Sequence, residues 1–502
     1  MKDVKQLGLF AAIASLSYVF WMVGGMEMIE RFAYYGVKAV ATLYAKDAAS
    51  NGGLGITLSD FGIIMGTWAL MQSLLPIFVG GLADRYGYKE TIFVSTVVKI
   101  VGYLVMAWYP TFWGFFGGAM LLATGTAIFK PGIQGTLVHS TNRQNSSMAW
   151  GIFYQTVNIG GWMGPLLAGF LRENLSWQSV FFACAGIISI NFILLLLYKE
   201  PNKAERLERN RKIKAGELKQ DHLVIASIKE LKKPQLWAFL LVMSGFWFMF
   251  NSFFDVLPAH IDDWVDTGII VQFLFGTDGT DSRLVQYLLA MTNDGLTIKP
   301  EGLINLNAGM IMIFCFAIGG WLSGKMKALT SMIVGTVLGS VALAWMGHSN
   351  WAWVFVFGIL LFSTAEMLSS PKFLEYLGNI APRDNKAMYL GFSQMSLAVG
   401  WTLEGYIGPW LYDVFASKDR FSRELLAERG MDGSAILEIP QGEAFTRLVE
   451  FTGESAQSLT AIMYEAHNIG YVWYIMAVVG VISAVGIYAY GRWMLSLRSR
   501  VG

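Results

Sequence analysis

Apolar stretches long enough to cross a bilayer recur along the whole chain, separated mostly by short polar connections. A spanning helix needs about 20 mostly apolar residues. Twelve stretches qualify: 14–45, 57–82, 91–109, 111–139, 148–171, 177–198, 235–262, 301–324, 328–347, 351–380, 386–416 and 466–494. The pattern predicts an all-α integral membrane protein with twelve transmembrane helices. The first stretch follows Lys2 and Lys5 and has the outline of a signal peptide. Its apolar run continues directly into polar residues suited to function, so it is read as a retained helix.

The basic residues set an orientation. Lys2, Lys5, Arg85, Lys89, Arg143, Lys325, Lys327, Arg383, Lys386, Arg492, Arg498 and Arg500 all fall on one side, which the positive-inside rule makes cytoplasmic. Residues 199–233 hold 11 Lys/Arg against 6 Asp/Glu and belong to the same side. The expected organisation is an N-terminal six-helix bundle over 1–198, a cytoplasmic basic linker over 199–233 and a C-terminal six-helix bundle over 234–502. Long extracytoplasmic loops fall near 263–300 and 417–465. Both termini are expected in the cytoplasm, and the protein in the cytoplasmic (inner) membrane.

Composition narrows the function. Of 502 residues, 54% are hydrophobic and 15% charged, against about 25% charged in soluble domains. The net charge of +1 gives no field to hold nucleic acid. Cys184 and Cys315 lie in apolar runs and suggest packing. The five His residues lie in loops or near span ends without ligand spacing, so no metal site is expected. No nucleophile is paired with a base inside the spans, so enzymatic activity is not expected.

The informative residues are ionisable groups inside apolar stretches: Glu27, Glu30, Arg31, Lys38, Lys130 and Glu366. Each costs about 2.5–3.5 kcal/mol at a helix centre. Six unpaired would cost roughly 15–20 kcal/mol, above a typical folding free energy. They must therefore face one another or a wet cavity, as structural ion pairs or as functional groups. Glu27, Glu30, Arg31, Tyr34 and Lys38 follow helical spacing and form one stripe. A carboxylate in such a stripe stays ionised beside a cation and takes up a proton when the cation is drawn away. Lys130 precedes Pro131, and Glu366 stands before Ser369, Ser370 and Pro371, so both lie where proline interrupts the helix ladder.

At these residues the chain resembles the proton-dependent oligopeptide transporter family of the major facilitator superfamily. Glu27-Met-Ile-Glu30-Arg31-Phe32-Ala-Tyr34-Tyr35-Gly36 is similar to the family's E-x-x-E-R-F-x-Y-Y-G. Phe129-Lys130-Pro131 resembles F-K-P, and Phe153-Tyr154-Gln-Thr-Val-Asn158-Ile-Gly160 resembles F-Y-x-x-I-N-x-G. Gly81 through Lys89 looks like the loop shared by major facilitators, and Glu366 through Pro371, with Ala381-Pro382 after it, looks like the helix-ten motif. The resemblance implies a major facilitator fold of two six-helix bundles around a central cavity.

The same resemblance implies that Glu27, Glu30 and Arg31 couple protons to transport and that Lys130 pairs alternately with substrate and carboxylates. Glu366, with Ser370 one turn on, would hold a peptide amino group. Lys38, where the family usually has Arg, would face the peptide carboxylate. Tyr34, Tyr35, Asn158 and Asn307 would line the cavity. Two departures stand out. Asn251 occupies the position of a family acid on helix seven, and Gln72 and Ser73 stand near a missing helix-two tyrosine. Asp255, one turn beyond Asn251, is a candidate gating partner for Lys38. Trp21, Trp68, Trp247 and Trp401 are either pocket walls or core. The implied activity is proton-coupled symport of di- and tripeptides by a monomer in the lipid bilayer, with protons as coupling ion and no other cofactor. The alternatives are carriage of another small zwitterion by symport, exchange or facilitation, and a receptor that binds peptide without moving it.

Overall fold

The computed structural model describes residues 9–141, 145–201, 203–215, 231–315, 318, 325–381 and 386–501. Each apolar stretch carries one long helix. These are α1 (Tyr18–Lys38), α2 (Leu58–Tyr86), α3 (Tyr88–Trp108), α4 (Phe112–His139), α5 (Ser146–Asn174), α6 (Trp177–Leu197), α7 (Pro234–Asp255), α8 (Pro300–Cys315), α9 (Ala328–Met346), α10 (Ala352–Ile380), α11 (Lys386–Ala416) and α12 (Tyr471–Val501). Much of the linker (216–230), Lys2, Lys5, Arg143, Pro382 and Arg383 lie outside the described residues, as do the side chains of Asp84 and Arg85.

Local chemistry starts these helices where the sequence does. Ser17, Thr57, Thr111 and Ser176 each accept a hydrogen bond from a backbone N–H of the first turn of α1, α2, α4 and α6, satisfying a donor the helix itself leaves open. Pro234 opens α7, where a missing N–H costs nothing. Among the described residues, eight of the twelve are long and apolar enough to cross a membrane on length and composition alone. The other four are α1, α5, α8 and α11. They carry Glu27, Glu30, Arg31 and Lys38, then Gln155, Asn158 and Arg172, then Glu301 and Asn307, then Glu404 and Asp413.

Packing repeats from one half of the chain to the other. In the first half α1 packs on α5 and α6, α4 on α2 and α3, and α3 on α6. In the second α7 packs on α11 and α12, α10 on α8 and α9, and α9 on α12. The halves meet along α2 with α11 and α5 with α8. Close approach needs glycine, between the halves and within one. A Cβ on Gly405 of α11 would lie 2.7 Å from Gly66 N of α2, and one on Gly164 of α5 would lie 2.6 Å from Gly36 N of α1, distances that only small residues permit.

Two expected spans are broken. The first stops at Lys38 and resumes as a short helix, Ala41–Lys46; the seventh stops at Asp255 and resumes as Leu257–Trp264. Pro258 explains the second break, because it cannot donate to the carbonyl of Phe254. That free carbonyl accepts the Thr42 hydroxyl at 3.0 Å, so each broken helix stitches the other. Pro131, by contrast, leaves α4 continuous to His139. The two long loops are also more ordered than a loop reading implies. Gly268–Phe275 and Arg283–Leu288 form in the first, and Lys418–Glu428, Gly433–Leu437, Ala444–Thr452 and Ala456–Ala466 form in the second.

Candidate functional site

The charged stripe of α1 is buried within the first half, and its last member, Lys38, reaches across to the second. Glu27, Glu30, Arg31, Tyr34 and Lys38 are all buried. Arg31 Nε lies 3.2 Å from Glu27 Oε1, and its other end touches Glu30 Oε2, by charge proximity without hydrogen-bond alignment. The remaining Glu30 oxygen accepts Lys99 Nζ at 2.6 Å. Lys99 comes from α3, is 1% exposed and lies 4.2 Å from the Phe129 ring centroid. Nothing in the motifs pointed to it. It is a lone lysine in the apolar stretch 91–109, and the rule that singled out Lys130 applies to it equally.

Lys130 behaves differently. Among the described residues it has no hydrogen bond or ion pair. It lines a central cavity with Arg31, Tyr34, Tyr35, Lys38, Trp68, Gln72, Asn251, Phe254 and Trp401. The cavity holds about 40 Å³, roughly room for two or three waters, so the core is nearly shut. Because Lys130→Ala removes no ion pair found among the described residues and takes away an unpaired charge, it should not lower thermal stability. Uptake should fall by about tenfold or more, near 1.4 kcal/mol in the barrier. A parallel loss of stability and uptake would assign Lys130 to folding instead.

On the second half, Glu366 of α10 is 7% exposed and accepts a 3.1 Å hydrogen bond from Asn307 Nδ2 of α8, which also donates to Ser363 Oγ. No cation pairs with it among the described residues. Ser370 is half-buried one turn on. Asn158 does not join this group, because its amide donates to the carbonyl of Tyr154 in its own helix. Trp68 and Trp401 wall the cavity, Trp247 is buried beside Trp401, and Trp21 is 43% exposed on the outer face of the bundle.

Asp255 is fully buried and accepts Lys38 Nζ at 2.6 Å. Asn251 donates from one amide nitrogen to Asp255 at 2.7 Å and to Glu404 of α11 at 2.6 Å. Glu404, a second residue the motifs did not mark, is fully buried. The same end of the seam is fastened further. Lys46 lies 2.7 Å from Asp262 and 2.5 Å from Asp263, Arg172 pairs with Glu301, and Ser59 N donates to Asp413 at 2.6 Å. The halves are thus shut at the Lys46 end. Beyond it lies a vestibule of about 400 Å³ lined by Lys46, Arg172, Asp262, Asp263 and Lys418.

Known proteins match this picture. The Major Facilitator Superfamily model matches residues 21–405. An uncharacterized transporter, YclF, of Bacillus subtilis is 27% identical over 40% of this chain and 41% of its own length. A di-/tripeptide transporter of Lactococcus lactis is 30% identical over 32% of this chain and 34% of its own. The chain therefore spans well under half the length of these curated relatives. A crystal structure of a peptide transporter POT in complex with sulfate superposes with a TM-score of 0.66 over 98% of this chain and 97% of that one, at 16% identity. The fold is shared over nearly the whole length, and the chain belongs to the major facilitator superfamily, with motifs that resemble its proton-dependent oligopeptide transporters.

Proposed function

We propose that this protein is a secondary transporter that carries di- and tripeptides into the cytoplasm together with protons. The two six-helix sets, 1–198 and 234–502, move against each other around a midplane site. One observation carries the reading. Among the described residues, the first half holds a cation without an anion, Lys130, on the central cavity, and the second holds a buried carboxylate without a cation, Glu366, bonded to Asn307. A zwitterion with a carboxylate at one end and an ammonium at the other supplies both missing charges. Buried charges of this kind are costly until paired, so substrate binding and closure of the core favour each other.

The motif resemblance and the named peptide transporters among the relatives support the peptide as cargo. The basic residues of the short loops support an orientation in the inner membrane with the linker end and both termini in the cytoplasm and the Lys46 end outside. Glu27, Glu30 and Arg31 would handle the proton, with no other cofactor, in a monomer. Asn251 in place of an acid supports a second reading, carriage of another small zwitterion by the same site.

The test is uptake of a labelled dialanine-type peptide into proteoliposomes, with an inward proton gradient and a negative-inside potential. Accumulation above the outside concentration, dependent on the gradient, is expected. Equilibration alone would mean a facilitator, and binding without entry a receptor. Removing the proposed ammonium partner gives a sharper readout. Glu366→Ala should raise KM by about tenfold or more, since a charged hydrogen-bonded contact is worth about 1.5–3 kcal/mol. An N-acetylated peptide, which has no ammonium, should be indifferent to the substitution.

A further inference from the structure

Charge counting in the cluster around Asn251, which joins Lys38, Asp255 and Glu404, leaves one carboxyl over. Lys38 is the cluster's cation, and it faces Asp255. Glu404 stands on the other side of the Asn251 amide, fully buried, with Oε2 accepting from Asn251 and Oε1 without a hydrogen bond among the described residues. Gly408, one turn on, leaves room for that oxygen, since a Cβ there would collide with it. The titratable and charged groups that act on Glu404 are Asp255 of α7 and Lys38 of α1. Helix α2 packs on this stretch of α11 through Gly62 and Gly66. The ionisable groups of α10 are engaged elsewhere, Glu366 with Asn307 and Lys372 with Glu375. Before Arg492, α12 offers only tyrosines and no charged group.

One ammonium and two carboxylates, buried together, are neutral only with one proton on the pair, and two carboxylates sharing a site favour holding a single proton between them. We propose that Glu404 carries a transported proton and that its protonation is what lets the outer end of the seam close. In the outward-open state Lys38 has moved away with the first half, and water reaches the acid pair. One proton passes from hydronium to the Glu404 carboxylate and leaves water behind. Lys38, an ammonium throughout, then docks on Asp255, and the buried cluster is neutral. When the core opens inward, the proton leaves Glu404 for cytoplasmic water. The closed cluster then holds an uncompensated negative charge, which favours release of Lys38 and return to the outward-open state. Coupling therefore comes from the second half of the chain as well as from Glu30.

This inference rests on the proton-coupled reading above, and a structural measurement separates the two. Spin labels on Glu173→Cys and His348→Cys, at the outer ends of α5 and α9 in a chain with Cys184 and Cys315 replaced by Ala, report the outer opening. In the parent, the short distance should dominate at acid pH and the long one at alkaline pH. Glu404→Gln, a permanent mimic of the protonated acid, should hold the short distance at both, and peptide accumulation should fall by about tenfold or more. Glu404→Asp, which keeps the acid, should keep the pH response and controls for folding. A normal pH response in Glu404→Gln, or its absence in a folded Glu404→Asp, would overturn the proposal. A pH-dependent distance that Glu404→Gln abolishes, in protein that accumulates no peptide, would uphold Glu404 while rejecting the peptide as cargo.

Discussion

Glu30→Gln is expected to abolish proton-driven accumulation while sparing part of peptide exchange, because exchange requires no net proton movement. Glu30 joins three helices: it sits on α1, accepts Lys99 from α3 and is reached by Thr126 of α4 at 3.4 Å. Neutralising it leaves Lys99 buried without an anion, whereas Arg31 still has Glu27. Breaking a buried pair from one side costs about 3–5 kcal/mol, a large share of a typical 5–15 kcal/mol stability. Loss of fold would then imitate loss of coupling. The double variant Glu30→Gln with Lys99→Met removes both charges and should recover thermal stability. Accumulation should stay absent in the double variant. If stability and gradient-driven accumulation return together, Glu30 is a structural partner of Lys99 and the proton moves elsewhere.

Much of this architecture was legible because a bilayer imposes one strong rule, that backbone polar groups be satisfied inside each spanning segment. Helix number and approximate limits follow from apolar runs. Helix breaks do not, since no Pro or Gly between Lys38 and Ala41 marks the first of them. Pro258 hints at the second break, yet Pro131, equally prominent in sequence, leaves α4 continuous. The site divides along similar lines. Motifs marked Glu30, Lys130 and Glu366, and helical spacing suggested Lys38 facing Asp255. Lys99 and Glu404 belong to no motif, although each is an isolated charge in an apolar stretch. Their signal is the charge itself, which is rare within a spanning segment. Asn158 shows the converse, a motif residue whose side chain folds back on its own helix. Pairings across the two halves, such as Lys46 with Asp262 and Asp263, join residues more than 200 positions apart, and no local pattern encodes them.

Reversing either member of the Lys38 and Asp255 pair is expected to stop uptake, by about 100-fold or more, or roughly 2.7 kcal/mol in the barrier. Asp255→Lys would set two ammonium groups against each other where Lys38 Nζ and Asp255 Oδ1 now lie 2.6 Å apart, at a fully buried position. The outer end then cannot shut, whatever the state of Lys46 and its two aspartates. Lys38→Asp fails for the opposite reason, since three carboxyls meet with no cation among them. Combining the reversals restores one cation and one anion across the seam, so a measurable fraction of uptake should return, with Glu404 still able to take its proton. Asp255→Asn separates closure from coupling. There Glu404 becomes the sole anion available to Lys38, and closing the end consumes the charge that would otherwise accept a proton. The outer end should still close in that variant, now without its preference for acid, while accumulation against a gradient is lost. If the double reversal recovers nothing in folded protein, the contact between Lys38 and Asp255 is incidental to gating, and the more distal Lys46 and Arg172 pairs must hold the outer end on their own.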